Sequence, residues 1–279
     1  MHRTRPFDAL GWTFSVASDD ARIVDYVEHV YGGLGDAASN GEHQYLVEHG
    51  DDDNDENARL TLDGDAVATA QDAAGLVITL VHDVNRRALD ATDLLAVHAG
   101  GVARGGDAVV LPAHMESGKT TLTAGLVRAG FDYLTDEAVV FDWDTLEIVP
   151  YAKPLSIDEG SWPLLPELEP GAPFATDGYK AGQWQVPAVA IRQHAAAPGC
   201  RARHLVFPGY AEGACTELVP LTRGEALVEL AKNTFRFRDH GRRALVTLAR
   251  IVEEVDCHRM PVGDLDEAVA LIDALAATR

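Results

Sequence analysis

Residues 109–142 read VVLPAHMESGKTTLTAGLVRAGFDYLTDEAVVFD, and the order of residue types along this stretch decides the fold. A short apolar strand leads into a turn ending in Ser117-Gly118-Lys119-Thr120-Thr121. An amphipathic helix follows, and then a second strand carrying Asp136-Glu137. That is the layout of a phosphate-binding loop followed by a metal-binding strand. Polyphosphate needs backbone N–H groups turned inward, the positive end of a helix, a lysine to reach the outer phosphates and a hydroxyl for Mg²⁺. Ala113, His114, Met115, Glu116, Ser117, Gly118, Lys119, Thr120 and Thr121 form the candidate loop, with Lys119 expected to be exposed to ligand and to contribute little to the core.

One position departs from G-x-x-x-x-G-K-[ST]. Ala113 stands where the first glycine belongs, and a φ > 0 there would be disfavoured. Without a loop function the stretch is an ordinary strand, turn and helix with a chance Gly-Lys-Thr. Lysine is scarce in this chain, occurring only at positions 119, 153, 180 and 232, which argues against chance.

Working outward, the helix is expected over 120–129 and the next strand over 133–141. Two strands, 94–102 and 108–111, flank the turn Arg104-Gly105-Gly106-Asp107. Upstream, strand alternation over 12–17 precedes an N-cap at Ser18-Asp19-Asp20 and a helix to about 31, whose apolar face is Ile23, Val24, Tyr26, Val27 and Val30. Strands over 44–48 and 59–62 bracket the acidic run 51–56, which lacks Ca²⁺-loop spacing and reads as a solvated loop. Asp63-Gly64-Asp65 marks a tight hairpin turn, and a helix follows over 71–89. Downstream, Asp142-Trp143-Asp144 turns into a strand over 147–151. Residues 156–182 are Pro- and Gly-rich and irregular, in the manner of a lid or substrate loop. Strands over 204–208, 217–220 and 258–262 and helices over 224–233, 242–254 and 265–277 complete the chain.

The chain has 279 residues and a formal net charge of −21. Such a field repels nucleic acid and anionic membranes and argues against both as partners, so a site for ATP must be locally basic or carry metal. The acidic balance fits a protein kept soluble in high salt, and a GC-rich genome would produce the same lysine shortage. Cys200, Cys215 and Cys257 are odd in number and lack metal-ligand spacing, so reduced cytoplasmic thiols are expected. No stretch approaches the apolar length of a membrane span.

Asp136 and Glu137 follow Thr135 on the strand leaving the loop helix, where one carboxylate can hold Mg²⁺ beside Thr120 and another can accept the proton of an attacking hydroxyl. Taken alone they are an exposed acidic pair in an acidic protein. His98, in LAVHAGGV, is by itself a core histidine of a strand.

The block 98–142 resembles the catalytic domain of the bacterial HPr kinase/phosphorylase family and its shorter relatives, whose fold is related to phosphoenolpyruvate carboxykinase. The residues that carry the likeness are His98-Ala99-Gly100-Gly101-Val102, Ser117-Gly118-Lys119-Thr120, Arg128-Ala129-Gly130-Phe131 and Thr135-Asp136-Glu137. The resemblance implies that Lys119 and Thr120 bind phosphate and Mg²⁺, Asp136 is the general base, Glu137 assists the metal and His98 tunes Asp136. Ala113, Thr121 and Glu137 depart from the family's usual glycine, glutamate and aspartate. No counterpart of the segment used for phosphorylase activity and HPr docking is found. The likeness extends weakly to Pro150-Tyr151-Ala152-Lys153-Pro154-Leu155, where Lys153 either reaches a phosphate or is solvated.

The expectation is an α/β chain: a phosphoenolpyruvate carboxykinase-like, P-loop nucleotide-binding core with a mixed sheet over 91–279, and a small N-terminal α+β region over 1–90. Its function would be ATP- and Mg²⁺-dependent phosphorylation of a hydroxyl on a small molecule or a peptide serine. A nucleotide-binding regulatory protein without transfer activity is the first rival, and a carboxykinase acting on an oxo acid is the second. The acceptor and any homo-oligomer are left open by the sequence.

Overall fold

The computed structural model describes residues 1–37, 41–48, 58–70, 73–168 and 183–278. The chain is mixed α/β with two mixed sheets, and its contacts divide it into two units: Met1–Thr92 with Ser156–Pro187, and Asp93–Leu155 with Ala188–Arg279. The acidic run 51–56 and residues 169–182 of the Pro-rich stretch lie outside the described residues.

In the first unit the sheet runs Gly35–Asp36, Phe7–Ala9, Trp12–Ser18, His43–Glu48, Ala58–Leu62, Asp65–Ala70, with His2–Arg3 pairing Trp12–Ser18. Trp12–Ser18 and His43–Glu48 are parallel, joined through the helix Ala21–Val30. The Asp20 side chain caps that helix by accepting from the Arg22 N–H, and Ile23, Val24, Val27 and Val30 are buried as the spacing predicts. Asp63 (φ 52) and Gly64 (φ 92) both take positive φ, the mirror-image turn that suits the twist of a two-residue hairpin. A second helix spans Ala73–Ala91, and its Asp83 accepts from the Tyr45 hydroxyl at 2.7 Å and from Arg87 at 2.7 Å. The irregular stretch after residue 155 contains a strand, Leu155–Asp158, paired with Gln183–Val186. Neither strand nor the short early strands before Trp12 stand out in the sequence, because two to four residues are too few to show a period.

The second unit is built on Leu95–Arg104. Asp107–Pro112 pairs with it antiparallel through Gly105 (φ 63) and Gly106 (φ 93), and Asp132–Thr135 and Ala138–Phe141 pair with it as well. Asp107–Pro112 continues parallel to Cys200–Tyr210, which is parallel in turn to Asp256–Val262, with Val219–Pro220 on the edge. Glu147–Val149 joins Ala138–Phe141 to the start of Cys200–Tyr210. The expected strand over 133–141 is therefore two strands, interrupted at Asp136-Glu137 after a register shift between Tyr133 and Thr135.

Leu95, Val97, Val139, Phe141, Leu205 and Phe207 pack with Leu230, Leu248, Ile251 and Val252 from the helices Arg223–Lys232 and Phe237–Glu254. Thr222 and Glu225 form a capping box at the first of these helices. The helix Lys119–Arg128 lies against Leu265–Ala277, and Gly125 permits the approach: a Cβ there would sit 3.1 Å from Leu265 and Val269 side-chain atoms. All three cysteines are free thiols, and no helix of the described residues is long and apolar enough to cross a membrane.

Candidate functional site

Asp107–Pro112, Cys200–Tyr210 and Asp256–Val262 run parallel, so their C-terminal ends lie together, the edge at which α/β sheets place ligands. Residues 113–118 leave the sheet at this edge. Ala113 is buried and does not adopt positive φ; its N–H reaches the His98 carbonyl at 3.4 Å. The left-handed positions fall instead at Glu116 (φ 63) and at Gly118 (φ 79), the N-cap of the helix Lys119–Arg128. The missing first glycine is thus no steric obstacle to this turn. A glutamate held left-handed costs about 1 kcal/mol or more, and such strain gathers at ligand-binding segments. His114, Met115, Glu116 and Gly118 are exposed and Ser117, Thr120 and Thr121 half-buried, while the Tyr210 N–H donates to the Ser117 carbonyl at 3.2 Å.

Lys119 differs from expectation. It is 5 % exposed, and its Nζ lies 2.7 Å from His98 Nε2. Burial, and then the Lys119 charge, hold the His98 imidazole below its ordinary value, and burial lowers the Lys119 ammonium as well. At neutral pH His98 is therefore neutral, Nε2 accepts from the ammonium, and the ring proton sits on Nδ1. Gly100 makes room for this lysine: a Cβ there would meet Thr123 Oγ1 at 2.5 Å and Lys119 Cγ at 3.3 Å. Phe235 closes the site edge-on, 5.8 Å from the His98 ring.

The break at Asp136-Glu137 gives the acidic pair its geometry. In a regular strand consecutive side chains point to opposite faces, and an irregularity re-aims them. Asp136 turns toward Thr120, whose Oγ1 donates to Oδ2 at 3.3 Å, and Glu137 turns toward His98, with Oε1 3.7 Å from Nε2. His98 therefore touches Lys119 and Glu137; its expected link to Asp136 is electrostatic, the carboxylate raising and not lowering the imidazole's proton affinity.

Two residues that the sequence did not assign complete the cluster. Lys153 is neither solvated nor on the surface: its Nζ lies 2.7 Å from Asp136 Oδ1, and both side chains are 2 % exposed. The Tyr133 hydroxyl lies 2.8 Å from the Lys153 carbonyl and 3.2 Å from the same Oδ1. Burial and the neighbouring carboxylate push the phenol well above its ordinary value, so it keeps its proton. The likeness over 150–155 singles out Lys153 but leaves it between a phosphate and solvent, and neither is its partner; Tyr133 carried no signal.

Thr120 Oγ1 and Asp136 Oδ2 fit a small divalent ion that takes most of its shell from phosphate and water, as Mg²⁺ does. They do not make a closed cage, and among the described residues no group of three or more His, Cys, Asp or Glu side chains could hold a metal.

No family model and no curated protein matches the chain. Among solved structures it is similar to the HPr(Ser) kinase/phosphatase from Coxiella burnetii, with a TM-score of 0.36 and 11 % identity over 64 % of this chain and 89 % of that one.

Proposed function

We propose that residues 113–121 hold the phosphates of ATP and that the chain is an ATP- and Mg²⁺-dependent phosphotransferase acting on a hydroxyl of a small molecule or of a peptide serine. What supports the reading most is the buried Lys119 ammonium at the start of a helix, one residue after left-handed Gly118 and beside a carboxylate–hydroxyl pair. The amides of the helix start and the Lys119 charge would offset the phosphate charge, which is most of what catalysis of this reaction requires. In the reaction the acceptor oxygen forms a bond to the γ-phosphorus, the bond to the β,γ-bridging oxygen breaks with ADP leaving, and the acceptor proton passes to Asp136. Thr120 and Asp136, assisted by Glu137, would hold Mg²⁺, which supplies charge neutralisation at the phosphates. His98 keeps the Lys119 ammonium in place until phosphate competes for it.

The Lys153–Asp136 pair favours a second reading, nucleotide binding without transfer, because Asp136 Oδ1 is already occupied by the buried Lys153 ammonium and is not open to an acceptor hydroxyl. Both readings share the loop, and one measurement tests it. Lys119→Met keeps the buried stem and removes the charge, so ATP affinity by titration calorimetry should fall by about 30-fold, the equivalent of a charged hydrogen bond worth roughly 2 kcal/mol. Unchanged affinity in a folded variant would refute the loop assignment.

A further inference from the structure

We propose that Lys153 is a positioning residue that makes Asp136 a one-oxygen ligand and thereby sets the preference of this site for Mg²⁺ over Ca²⁺; the inference rests on the nucleotide-binding reading above. Lysine is rarely buried, and this one has its ammonium on Asp136 Oδ1 at 2.7 Å and on the Pro154 carbonyl at 2.8 Å. Its backbone is pinned as well, since the Lys153 N–H donates to the Tyr151 carbonyl and the Tyr151 N–H to the Leu134 carbonyl on the strand that leads to Asp136. Tyr133 ties the two halves together, its hydroxyl lying between the Lys153 carbonyl and Oδ1. An ammonium held this way is not placed to reach a phosphate, because leaving Oδ1 would strand a buried carboxylate.

The consequence concerns the other oxygen. With Oδ1 engaged by an ammonium and a phenol, the carboxylate turns Oδ2 toward Thr120, and a bound ion meets one oxygen instead of two. Mg²⁺ demands compact octahedral geometry with single-oxygen ligands, whereas Ca²⁺ accepts a carboxylate edge-on and a larger shell. Partners that orient a metal ligand commonly change metal affinity by about 10–100-fold when removed.

The test is ATP binding by the full chain with Mg²⁺, with Ca²⁺ and with EDTA, for wild type, Lys153→Met and Tyr133→Phe, alongside thermal melting. Wild type should bind ATP more tightly with Mg²⁺ than with Ca²⁺. In Lys153→Met the Mg²⁺-to-Ca²⁺ ratio of affinities should collapse by about tenfold. Tyr133→Phe keeps the ion pair, decides the matter if Lys153→Met does not fold, and should shift the ratio in the same direction by about threefold. A merely structural role would weaken binding equally with both ions, so an unchanged ratio in the folded variants overturns the inference while leaving the nucleotide site intact. Wild-type ATP affinity that ignores both ions, or no ATP binding at all, overturns the nucleotide and Mg²⁺ reading and this inference with it.

Discussion

Gly100→Ala should damage the fold and the candidate site together, and the size of the effect follows from the packing. Gly100 is not among the glycines with positive φ, so alanine brings no backbone strain and the cost is steric. The new methyl would lie 2.5 Å from Thr123 Oγ1, 3.3 Å from Lys119 Cγ and 3.5 Å from Leu111 Cδ1. Thr123 is fully buried and its hydroxyl donates to the Lys119 carbonyl at 2.9 Å, so it cannot turn away without leaving a buried hydroxyl unpaired. Losing that hydrogen bond costs about 1 kcal/mol, and overpacking costs about 1–3 kcal/mol, for a total of roughly 2–4 kcal/mol. For a unit of this size the melting temperature should fall by roughly 5–15 °C. The displaced Lys119 stem should also lower ATP affinity. Gly100→Ala with Thr123→Ala removes the atom that clashes, so urea denaturation should show recovery of about 1–3 kcal/mol relative to the sum of the single changes. A single variant within about 0.5 kcal/mol of wild type, or a double variant with no recovery, would refute the packing argument.

Asp136→Asn should lower stability by about 3–5 kcal/mol by leaving the Lys153 ammonium buried and unpaired, and Lys153→Met in the same chain should restore most of it; once an acceptor is found, transfer by the Asn variant should fall about a hundredfold, and transfer at the wild-type rate would remove Asp136 as the base. Molar salt should raise the melting temperature of a chain with net charge −21 by screening self-repulsion, and a flat profile would leave genome composition as the cause of the lysine shortage. His204 is buried, neither ring nitrogen has a hydrogen-bond partner among the described residues, and burial holds it below its ordinary 6.5. The unfolded chain therefore takes up the proton more readily, so the stability His204 contributes is present above about pH 6.5 and is lost as pH falls. Melting between pH 7.5 and 5.5 should fall less steeply in His204→Leu than in wild type, and equal slopes would refute the assignment.

The elements with a strong local signal were legible in the chain. The helix Leu265–Ala277, the strand Trp12–Ser18 and the helix Ala21–Val30 follow from apolar period and capping, and the turns at Asp63-Gly64 and Gly105-Gly106 follow from residues that tolerate positive φ. So did the strand, turn and helix around Lys119, because Gly118 and the helix start are neighbours in sequence. Period, capping and turn chemistry are interactions within a few residues, and the chain carries them wherever it goes. The partners of the site are not of that kind. Whether Lys153 is solvated or buried depends on whether a carboxylate lies within hydrogen-bond reach, and Asp136, seventeen positions earlier in sequence, is brought there only by the pairing of Asp132–Thr135 with Leu95–Arg104 and the break that follows. The same break brings Asp136 and Glu137 into one cluster, beside Thr120 and His98 respectively, where an unbroken strand would have put them on opposite faces. Tertiary structure alone decides such pairs, because the desolvation that makes a buried charge costly and the partner that offsets it are both set by strand register, and not by the residues on either side.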